Sequence, residues 1–429
     1  MRFSWLACAL IFAACERTAQ SEPLKLRVAV VGDLDPIVPG DQKTWSVLAQ
    51  DWVFEPLLGI GEGGALAPKL ARDFQPRGGR GYLVRLREHA RFSDGSLVTE
   101  EDLARSVASV DLSVQRQGDA FFIQTNQRGG SPIEVLLTRT SITKGGAKGS
   151  SALGTGPFVV AEHSPRRMLL KRWQEVAGKV ASVELLSSES NTDAFARTLA
   201  GEADVLPNVP PRMVEFFDGV PHLKVHQGAG PHTVVVMMNP KRLDRDERRA
   251  IAASLSQSDV AAVASREGCK QVQQVIGKRV GLAEGRPLTT VALLQDATGQ
   301  RLGLALRRWL GIRGGPLSVL DASAATGFFE AGRDADLAIV RMLSSPPGIV
   351  SAFVATGANE NFGGYSNSLV DAAIDEGDWA RAKAALADDP PFVSICKPQR
   401  IAVVDARFKN ARVGPYGFLE TLPDWEATK

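Results

Sequence analysis

The chain contains few of the residues that usually mark enzymes and metal proteins. Its 429 residues include five histidines and four cysteines. It has no Gly-x-Ser-x-Gly elbow, no cysteine and histidine at a catalytic spacing, and no Gly-x-x-x-x-Gly-Lys-Ser/Thr phosphate loop. His222, His226 and His232 form a metal-like cluster, but their segment is predicted to be extended and no zinc-hydrolase carboxylates accompany it. We therefore expect no enzyme activity, metal or cofactor; an exported hydrolase would need a nucleophile and base that are not visible.

The chain also lacks an excess of charge of one sign. Fifty Lys and Arg residues face 48 Asp and Glu residues, which gives a formal net charge of +2. No long run of like charge occurs, so the electrostatic signature of a nucleic-acid or anionic-lipid partner is missing. Two predicted helices, Asp246–Leu255 and Ser258–Ser265, are also spaced like a helix-turn-helix. Without a basic face, we do not expect nucleic acid among the partners.

Long apolar runs are scarce, and the clearest one lies at the N-terminus. Arg2 precedes an apolar stretch, Leu6–Phe12, that is too short to span a bilayer and is typical of an export signal. The following Ile11–Cys15 resembles a bacterial lipobox, whose cysteine receives a diacylglycerol. We therefore expect a signal peptide over residues 1–14, a lipid on Cys15 and a polar tether over 15–23. The alternatives are an ordinary secretory signal cleaved after an alanine, or a chance cysteine in the apolar region.

These features predict a periplasmic or other extracytoplasmic location, with the protein held on a bacterial membrane by its lipid. No second long apolar run follows, so no membrane span is expected. Once the signal is removed, Cys269 and Cys396 are the remaining thiols besides Cys15. Disulfides persist outside the cytoplasm, which makes a bridge between them one interpretation and two unpaired buried cysteines the other.

The rest of the chain is patterned as an α/β protein. With 44% apolar residues it can bury the cores of two or three domains. Tyr82–Arg87 alternates with period two and predicts a half-buried strand, followed by a turn at Ser93–Gly95. Thr99 and the acidic residues after it predict a helix start. Val183–Val205 has the order of a βαβ unit.

Three segments together resemble the extracellular solute-binding proteins of peptide and nickel ABC transporters, family 5. They are Phe54–Leu58, Leu66–Ala71 and Tyr82–Leu103, and the last carries the most specific pattern. Further pieces follow in the family's order: Gly154–Phe158, Met238–Pro240, Arg248–Ile251 and Gly364–Asp371.

The resemblance implies a two-lobed α/β periplasmic binding protein of type II, with mixed sheets flanked by helices, an extra inserted domain and a hinge between the lobes. On this basis residues 24–50, 154–237 and 400–429 form the first lobe, 51–153 the inserted domain and 238–399 the second lobe. Chain crossovers near Met238 and Lys397 would form the hinge. Such a protein closes on its ligand and needs no covalent chemistry.

The resemblance also suggests where a ligand binds. The candidate ligand-binding residues are Gly32, Asp33, Leu34, Arg341, Met342 and Leu343. Characterised peptide binders of this family place a carboxylate after the later domain's strand to pair with the peptide's α-amine. The matching stretch here, Ile339–Pro347, contains no Asp or Glu. Arg341 could instead meet an anionic group of the ligand, or it could be an ordinary exposed arginine at a strand end.

The leading functional hypothesis is a monomeric substrate-binding lipoprotein. It would capture a small solute, such as an oligopeptide or peptide-like molecule, and deliver it to the membrane subunits of an ABC permease. The alternative is a sensory or scaffolding protein that retains the solute-binding fold without transport.

Overall fold

The fold is known from a computed structural model. It describes residues 23–40, 44–61, 64–78, 80–108, 110, 112–125, 133–230, 232–256, 269–271, 288–292, 301–305, 314–319, 335–344, 347–358, 360–361, 363–412, 414 and 418–427. The predicted signal peptide, Cys15 and the predicted helix Ser258–Ser265 lie outside these residues.

The secondary structure alternates between strands and helices along the chain. In chain order the strands are β1 (Lys25–Val31), β2 (Leu58–Ile60), β3 (Leu66–Pro68), β4 (Ala71–Pro76), β5 (Gly81–Leu86), β6 (Leu112–Gln117), β7 (Ala120–Thr125), β8 (Phe158–Ser164), β9 (Arg167–Arg172), β10 (Ser182–Ser188), β11 (Val205–Leu206), β12 (Leu223–Ala229), β13 (His232–Met238), β14 (Cys269–Gln271), β15 (Leu288–Ala292), β16 (Gly314–Val319), β17 (Leu337–Leu343), β18 (Phe392–Asp405), β19 (Phe408–Lys409) and β20 (Glu426–Ala427).

The helices flank these strands. They are α1 (Thr44–Val53), α2 (Glu100–Ala108), α3 (Ile133–Arg139), α4 (Asn191–Leu199), α5 (Arg245–Ser256), α6 (Ser351–Val354), α7 (Ser368–Glu376) and α8 (Trp379–Asp388), with short 3-10 helices at Lys144–Gly146, Pro211–Phe217, Pro347–Val350 and Phe418–Asp424. The expected α/β class with mixed sheets flanked by helices is confirmed.

The first lobe is built around β1. This strand pairs in parallel with β10, and β10 continues antiparallel into β9 and β8. The apolar residues of β1 alternate across the sheet and bury one side in a core that contains Trp52, Phe158 and Trp425. The C-terminal segment therefore returns to complete the lobe that the chain began.

The inserted domain is a separate antiparallel sheet with the strand order β4-β5-β7-β6, covered by α2 and α3. Its strand β5 and helix α2 confirm the elements predicted from Tyr82–Leu103. Thr99 and Asp102 form a reciprocal cap: the Asp102 carboxylate accepts from the Thr99 N–H at 2.9 Å, and the Thr99 hydroxyl accepts from the Asp102 N–H at 3.2 Å. Leu103 and Val107 on the buried face of α2 then fill the domain core.

The second lobe combines parallel and antiparallel pairing. β15 runs parallel to β16 and β17, whereas β13 runs antiparallel to β17. Val234 and Val236 on one face of β13 enter a core with Ile251 of α5. Val235 on the other face packs with Phe353, so both faces of this apolar strand are buried.

The chain passes between the lobes at two adjacent places. The 14-residue strand β18 pairs through its first part with β13, from Phe392 to Cys396, and through its last part with β12, from Gln399 to Asp405. One crossover therefore lies near Lys397, as expected. The other lies between β12 and β13, around Gly230, and not near Met238, because Met238 ends a strand that is already paired within the second lobe.

Candidate functional site

A cavity of about 330 Å³ lies where the chain passes between the lobes. Its described walls are Asn191 and Asn208–Pro210 from the first lobe, Gly230, His232 and Pro398–Ile401 from the two crossovers, and Arg341 from β17. Since both lobes contribute walls, a change in their separation changes the shape of this cavity.

Backbone hydrogen bonds hold the walls together. The Gly230 N–H donates to the carbonyl of Pro398 at 3.2 Å, which joins the two crossovers. The Val209 N–H donates to the carbonyl of Ile401 at 2.9 Å and ties the first-lobe loop to β18. The positions of the lining side chains are therefore set by strand pairing and not by a loose loop.

Gly230 lets the Arg400 side chain lie close to the backbone. A Cβ atom at position 230 would lie 3.3 Å from Arg400 Nε and 3.5 Å from the Pro398 carbonyl oxygen. Contacts of this length are tight for a side chain, so a larger residue would displace the guanidinium.

His232 and Arg341 lie on the same face of the β13–β17 ladder. His232 is opposite Leu343 and Arg341 is opposite Val234, and alternate residues of paired strands share a face. Burial, followed by the nearby charges of Arg400, Arg139 and Arg341, lowers the pKa of His232 from 6.5 to about 4. The imidazole is therefore neutral near pH 7, and three guanidiniums supply positive potential around it.

The polar side chains among the described lining residues are amides, guanidiniums and one imidazole. Gln399 Nε2 is buried and has no hydrogen-bond partner among the described residues. The amides of Asn191 and Asn208 also face the cavity, and none of its described lining residues is Asp or Glu.

One acidic residue lies in the surroundings of this site. Burial raises the pKa of the Glu360 carboxyl, and the charge of Arg139 partly opposes that increase. Arg139 ends α3 of the inserted domain, so this domain contributes charge near the second lobe.

The predicted ligand residues after β1 lie at a turn of the first lobe. Gly32 has a φ of +96°, a left-handed conformation that suits glycine, and its N–H donates to the carbonyl of Ser188 at 2.9 Å. Gly32 and Asp33 are exposed, whereas the Leu34 side chain is buried in the first-lobe core. None of the three is among the described residues that line the cavity.

Of the three predicted ligand residues in β17, one lines the cavity and two do not. Arg341 is exposed and lines the cavity. Met342 is buried in the second-lobe core with Val235, and Leu343 is also buried. Of the six predicted positions, the structure thus brings Arg341 to the cavity.

Cys269 and Cys396 form a disulfide in the structure, with their Cα atoms 5.5 Å apart. It fastens β14 to β18, where Cys269 is opposite Pro398 in the strand register. The covalent link therefore lies next to the part of β18 that lines the cavity.

A second cavity of about 670 Å³ lies between α1, the inserted domain and the C-terminal segment. Two ion pairs lie in its walls: Lys69 bonds to Asp51, and Arg87 bonds to Glu55 at 2.5 Å. Burial raises the pKa of Glu55, and the charge of Arg87 opposes this most strongly. Because no described residue of the second lobe lines this cavity, lobe closure would not reshape it directly.

The described residues contain neither a metal-type cluster nor a helix suited to span a membrane. No group of three or more His, Cys, Asp and Glu residues among them is placed to hold a metal ion. In the same part of the chain, no helix has the length and apolar character needed to cross a membrane.

Sequence reasoning missed Arg400 and Gln399 and considered His232 only as a metal ligand. His232 is far from Gln399 and Arg400 in the chain. The three residues meet because β18 pairs with both β12 and β13. The available signal was the predicted crossover near Lys397, since ligand sites of two-lobed proteins often lie at domain interfaces.

The whole fold is similar to several solved structures. The ABC transporter substrate-binding protein CtaP from Listeria monocytogenes has 16% identity and a TM-score of 0.75, over 94% of this chain and 99% of that one. The oligopeptide-binding protein AppA from Bacillus subtilis, in complex with a nonapeptide, has 14% identity and a TM-score of 0.67, over 95% and 100%. NikA from Staphylococcus aureus, in complex with Ni(L-His)2, has 16% identity and a TM-score of 0.66, over 92% and 98%. At these identities the likeness establishes the fold, which is the expected two-lobed one.

The sequence itself matches one family model. Residues 120–283 match the model described as bacterial extracellular solute-binding proteins, family 5 middle. No curated protein matches the sequence. The chain therefore resembles the bacterial extracellular solute-binding proteins of family 5 in its middle region and shares the fold of solved solute-binding proteins over its length.

Proposed function

We propose that this protein captures a small solute, peptide or peptide-like, between its lobes and delivers it to the membrane permease of an ABC transporter. The observation that carries the proposal is the cavity at the two crossovers, which takes walls from both lobes. A ligand held there contacts both lobes at once and so favours the closed arrangement.

The two crossovers suit a hinge. Among the described residues, the β12–β13 connection around Gly230 and the segment of β18 around Lys397 join the paired strands of the lobes. Each lobe keeps its own core, with Trp52 in the first and Ile251 in the second. Rotation at two adjacent backbone segments would therefore leave both cores intact.

The similar proteins support a transport role. Three of them are an ABC transporter substrate-binding protein, an oligopeptide-binding protein in complex with a nonapeptide, and a periplasmic murein tripeptide-binding protein. Two of these three are named for binding peptides, which supports a peptide or peptide-like solute.

The proposal includes the finer organisation expected from the sequence. Residues 1–14 are a signal peptide, Cys15 carries the lipid, and residues 15–23 tether a monomeric body in the periplasm. The boundary between the first and second lobes moves from Met238 to Gly230, and the other predicted limits, including the inserted domain at 51–153, stay as they are. The lipid would hold the folded body near its permease.

A thermal-shift screen tests capture. The mature protein is heated with di- to pentapeptides, nickel-histidine complexes and small organic anions, and a bound solute raises the melting temperature by mass action. Asn208→Trp places a large side chain in the cavity and is expected to abolish the shift. Arg212→Trp, at an exposed position outside the cavity, is the matched control.

Delivery is tested with a candidate ABC permease from the same bacterium, reconstituted in vesicles. The loaded protein is expected to stimulate ATP hydrolysis, and the Asn208→Trp variant is not. A protein that binds solute but leaves hydrolysis unchanged would contradict the delivery step and favour a sensory or scaffolding role. A protein that shows no shift with any solute would contradict capture itself.

A further inference from the structure

We propose that the solute captured at the crossover cavity is a small anion that carries a carboxylate, bound by Arg341, Arg400 and Gln399. This inference rests on the proposed function and specifies its ligand. It also implies that a free α-amine on the solute weakens binding.

The side chains that line the cavity suit a carboxylate. The cavity presents two guanidiniums, from Arg341 and Arg400, and the side-chain amides of Gln399 and two asparagines. No carboxylate stands among its described lining residues. Guanidinium groups offer paired N–H donors that match the two oxygens of a carboxylate.

Gln399 places a buried hydrogen-bond donor in the wall of the cavity. Its Nε2 atom has no hydrogen-bond partner among the described residues, although its strand is otherwise paired. A buried donor without an acceptor is costly, and an incoming oxygen atom removes that cost. A ligand with acceptor oxygens therefore gains more at this position than a ligand with donor groups.

Three arginines place positive charge near His232. Arg139, Arg341 and Arg400 all act on His232, whose pKa is lowered to about 4, first by burial and then by these charges. The Glu360 carboxyl interacts with the charge of Arg139, and burial raises its pKa. The three arginines act on His232 with the same positive sign, and their charge attracts an anionic group.

An ammonium group would be poorly accommodated in the same place. It would lose water, meet guanidiniums and find no lining carboxylate among the described residues.

The positions of the two arginines also connect ligand charge to closure. Arg341 belongs to the second lobe through β17, whereas Arg400 lies on the part of β18 that pairs with first-lobe strand β12. A carboxylate between them would join the lobes. The cavity of about 330 Å³ suits a small molecule, at the lower end of the ~300–1,000 Å³ typical of ligand pockets.

The charge of the ligand is tested with one scaffold in matched forms. The probes are dialanine, N-acetyl-dialanine, dialanine amide and N-acetyl-dialanine amide, together with glutarate as a carboxylate without a peptide bond. Affinities are measured by calorimetry with the mature protein. We expect the acetylated acid to bind at least as tightly as free dialanine, and both amides to bind about tenfold or more weakly.

The assigned residues are tested with Arg341→Gln, Arg400→Gln and Gln399→Glu. Each is expected to weaken binding of the acidic probe that binds best by about tenfold or more. Arg381→Gln removes an equal charge from exposed helix α8, where Arg381 pairs with Glu376, and is expected to leave affinity within about twofold. Circular dichroism verifies that each variant is folded.

The outcomes separate the inference from the proposed function. Tight binding of an amide probe, or affinity unchanged in the arginine variants, would overturn the anionic assignment and leave solute capture standing. Failure of every probe, and of every solute in the wider thermal-shift screen, would overturn both.

Discussion

Glu134 of α3 and Gly348 of the second lobe approach so closely that a Cβ atom at position 348 would lie 2.5 Å from Glu134 Oε1. The Tyr82 hydroxyl donates to the same oxygen at 3.0 Å, so the carboxylate cannot move away freely. The inserted domain therefore contacts the second lobe at a point where a side chain on residue 348 would displace the Glu134 carboxylate. Arg80 and Asp375 add an ion pair across the same two units.

We predict that Gly348→Ala weakens this contact by about 1–3 kcal/mol, because the added methyl group overlaps the held carboxylate. The closed arrangement should then be less favourable, and ligand affinity should fall. Small-angle scattering of the ligand-bound protein measures the change in lobe separation. The double variant Gly348→Ala/Glu134→Ala removes the overlap and should recover part of the effect. Equal behaviour of the single and double variants would show that the overlap has no influence on closure.

The disulfide predicts a stability difference between oxidised and reduced protein. Cys269 and Cys396 enclose a sequence separation of 127 residues. Opening a long covalent loop frees the unfolded chain, so reduction should lower the free energy of unfolding by about 2–5 kcal/mol. Urea unfolding with and without dithiothreitol measures this. The variant Cys269→Ala/Cys396→Ala should be insensitive to dithiothreitol, and a wild-type midpoint that is equally insensitive would refute the prediction.

The environment of His232 predicts a loss of stability in acid. Its pKa is lowered from 6.5 to about 4, mainly by burial and then by Arg400, Arg139 and Arg341. Above pH 6.5 the imidazole is neutral in both states. Between pH 6.5 and 4 the unfolded chain takes up the proton first, which lowers the free energy of unfolding by up to about 3 kcal/mol.

Chemical denaturation across this pH range tests the prediction with two variants. His232→Gln should show a shallower loss of stability between pH 6.5 and 4 than the wild type. His222→Gln, at an exposed position, is the control and should follow the wild type. Parallel curves for wild type and His232→Gln would contradict the assigned environment.

The lipobox predicts covalent lipidation at one of two nearby cysteines. Cells grown with labelled palmitate should incorporate label into the wild type and into Cys8→Ser, because Cys8 lies within the apolar region that is removed. Cys15→Ser should remain unlabelled and should be released from the membrane fraction. Labelling of Cys15→Ser would instead point to another attachment site.

Local elements of this protein were predictable because their signals are local. The alternation over Tyr82–Arg87 corresponds to β5, and Thr99 begins α2 through its reciprocal cap with Asp102. The apolar segments Phe392–Cys396 and Ile401–Val404 belong to the single strand β18, although polar residues separate them. The polar residues between them gave no sign of continuity, because their pairing is with strands distant in sequence.

The site was predictable to a smaller extent. Arg341 was found through a family resemblance, whereas Leu34 and Met342 lie in cores. Apolar residues at strand ends look the same in sequence whether they face a ligand or a core. Burial of their side chains depends on which other elements cover the sheet, and those elements are far away in the chain.

The sequence by itself determined the α/β class, the helix and strand starts marked by caps and alternation, the near-neutral charge and the signal-like N-terminus. Only the tertiary structure decided that Gly230, Arg341 and Gln399 surround one cavity, and that Cys269 meets Cys396. The physical reason is that caps and periodicity act within a few residues of chain. The cavity depends on the register of β18 with two strands at once, which long-range packing determines.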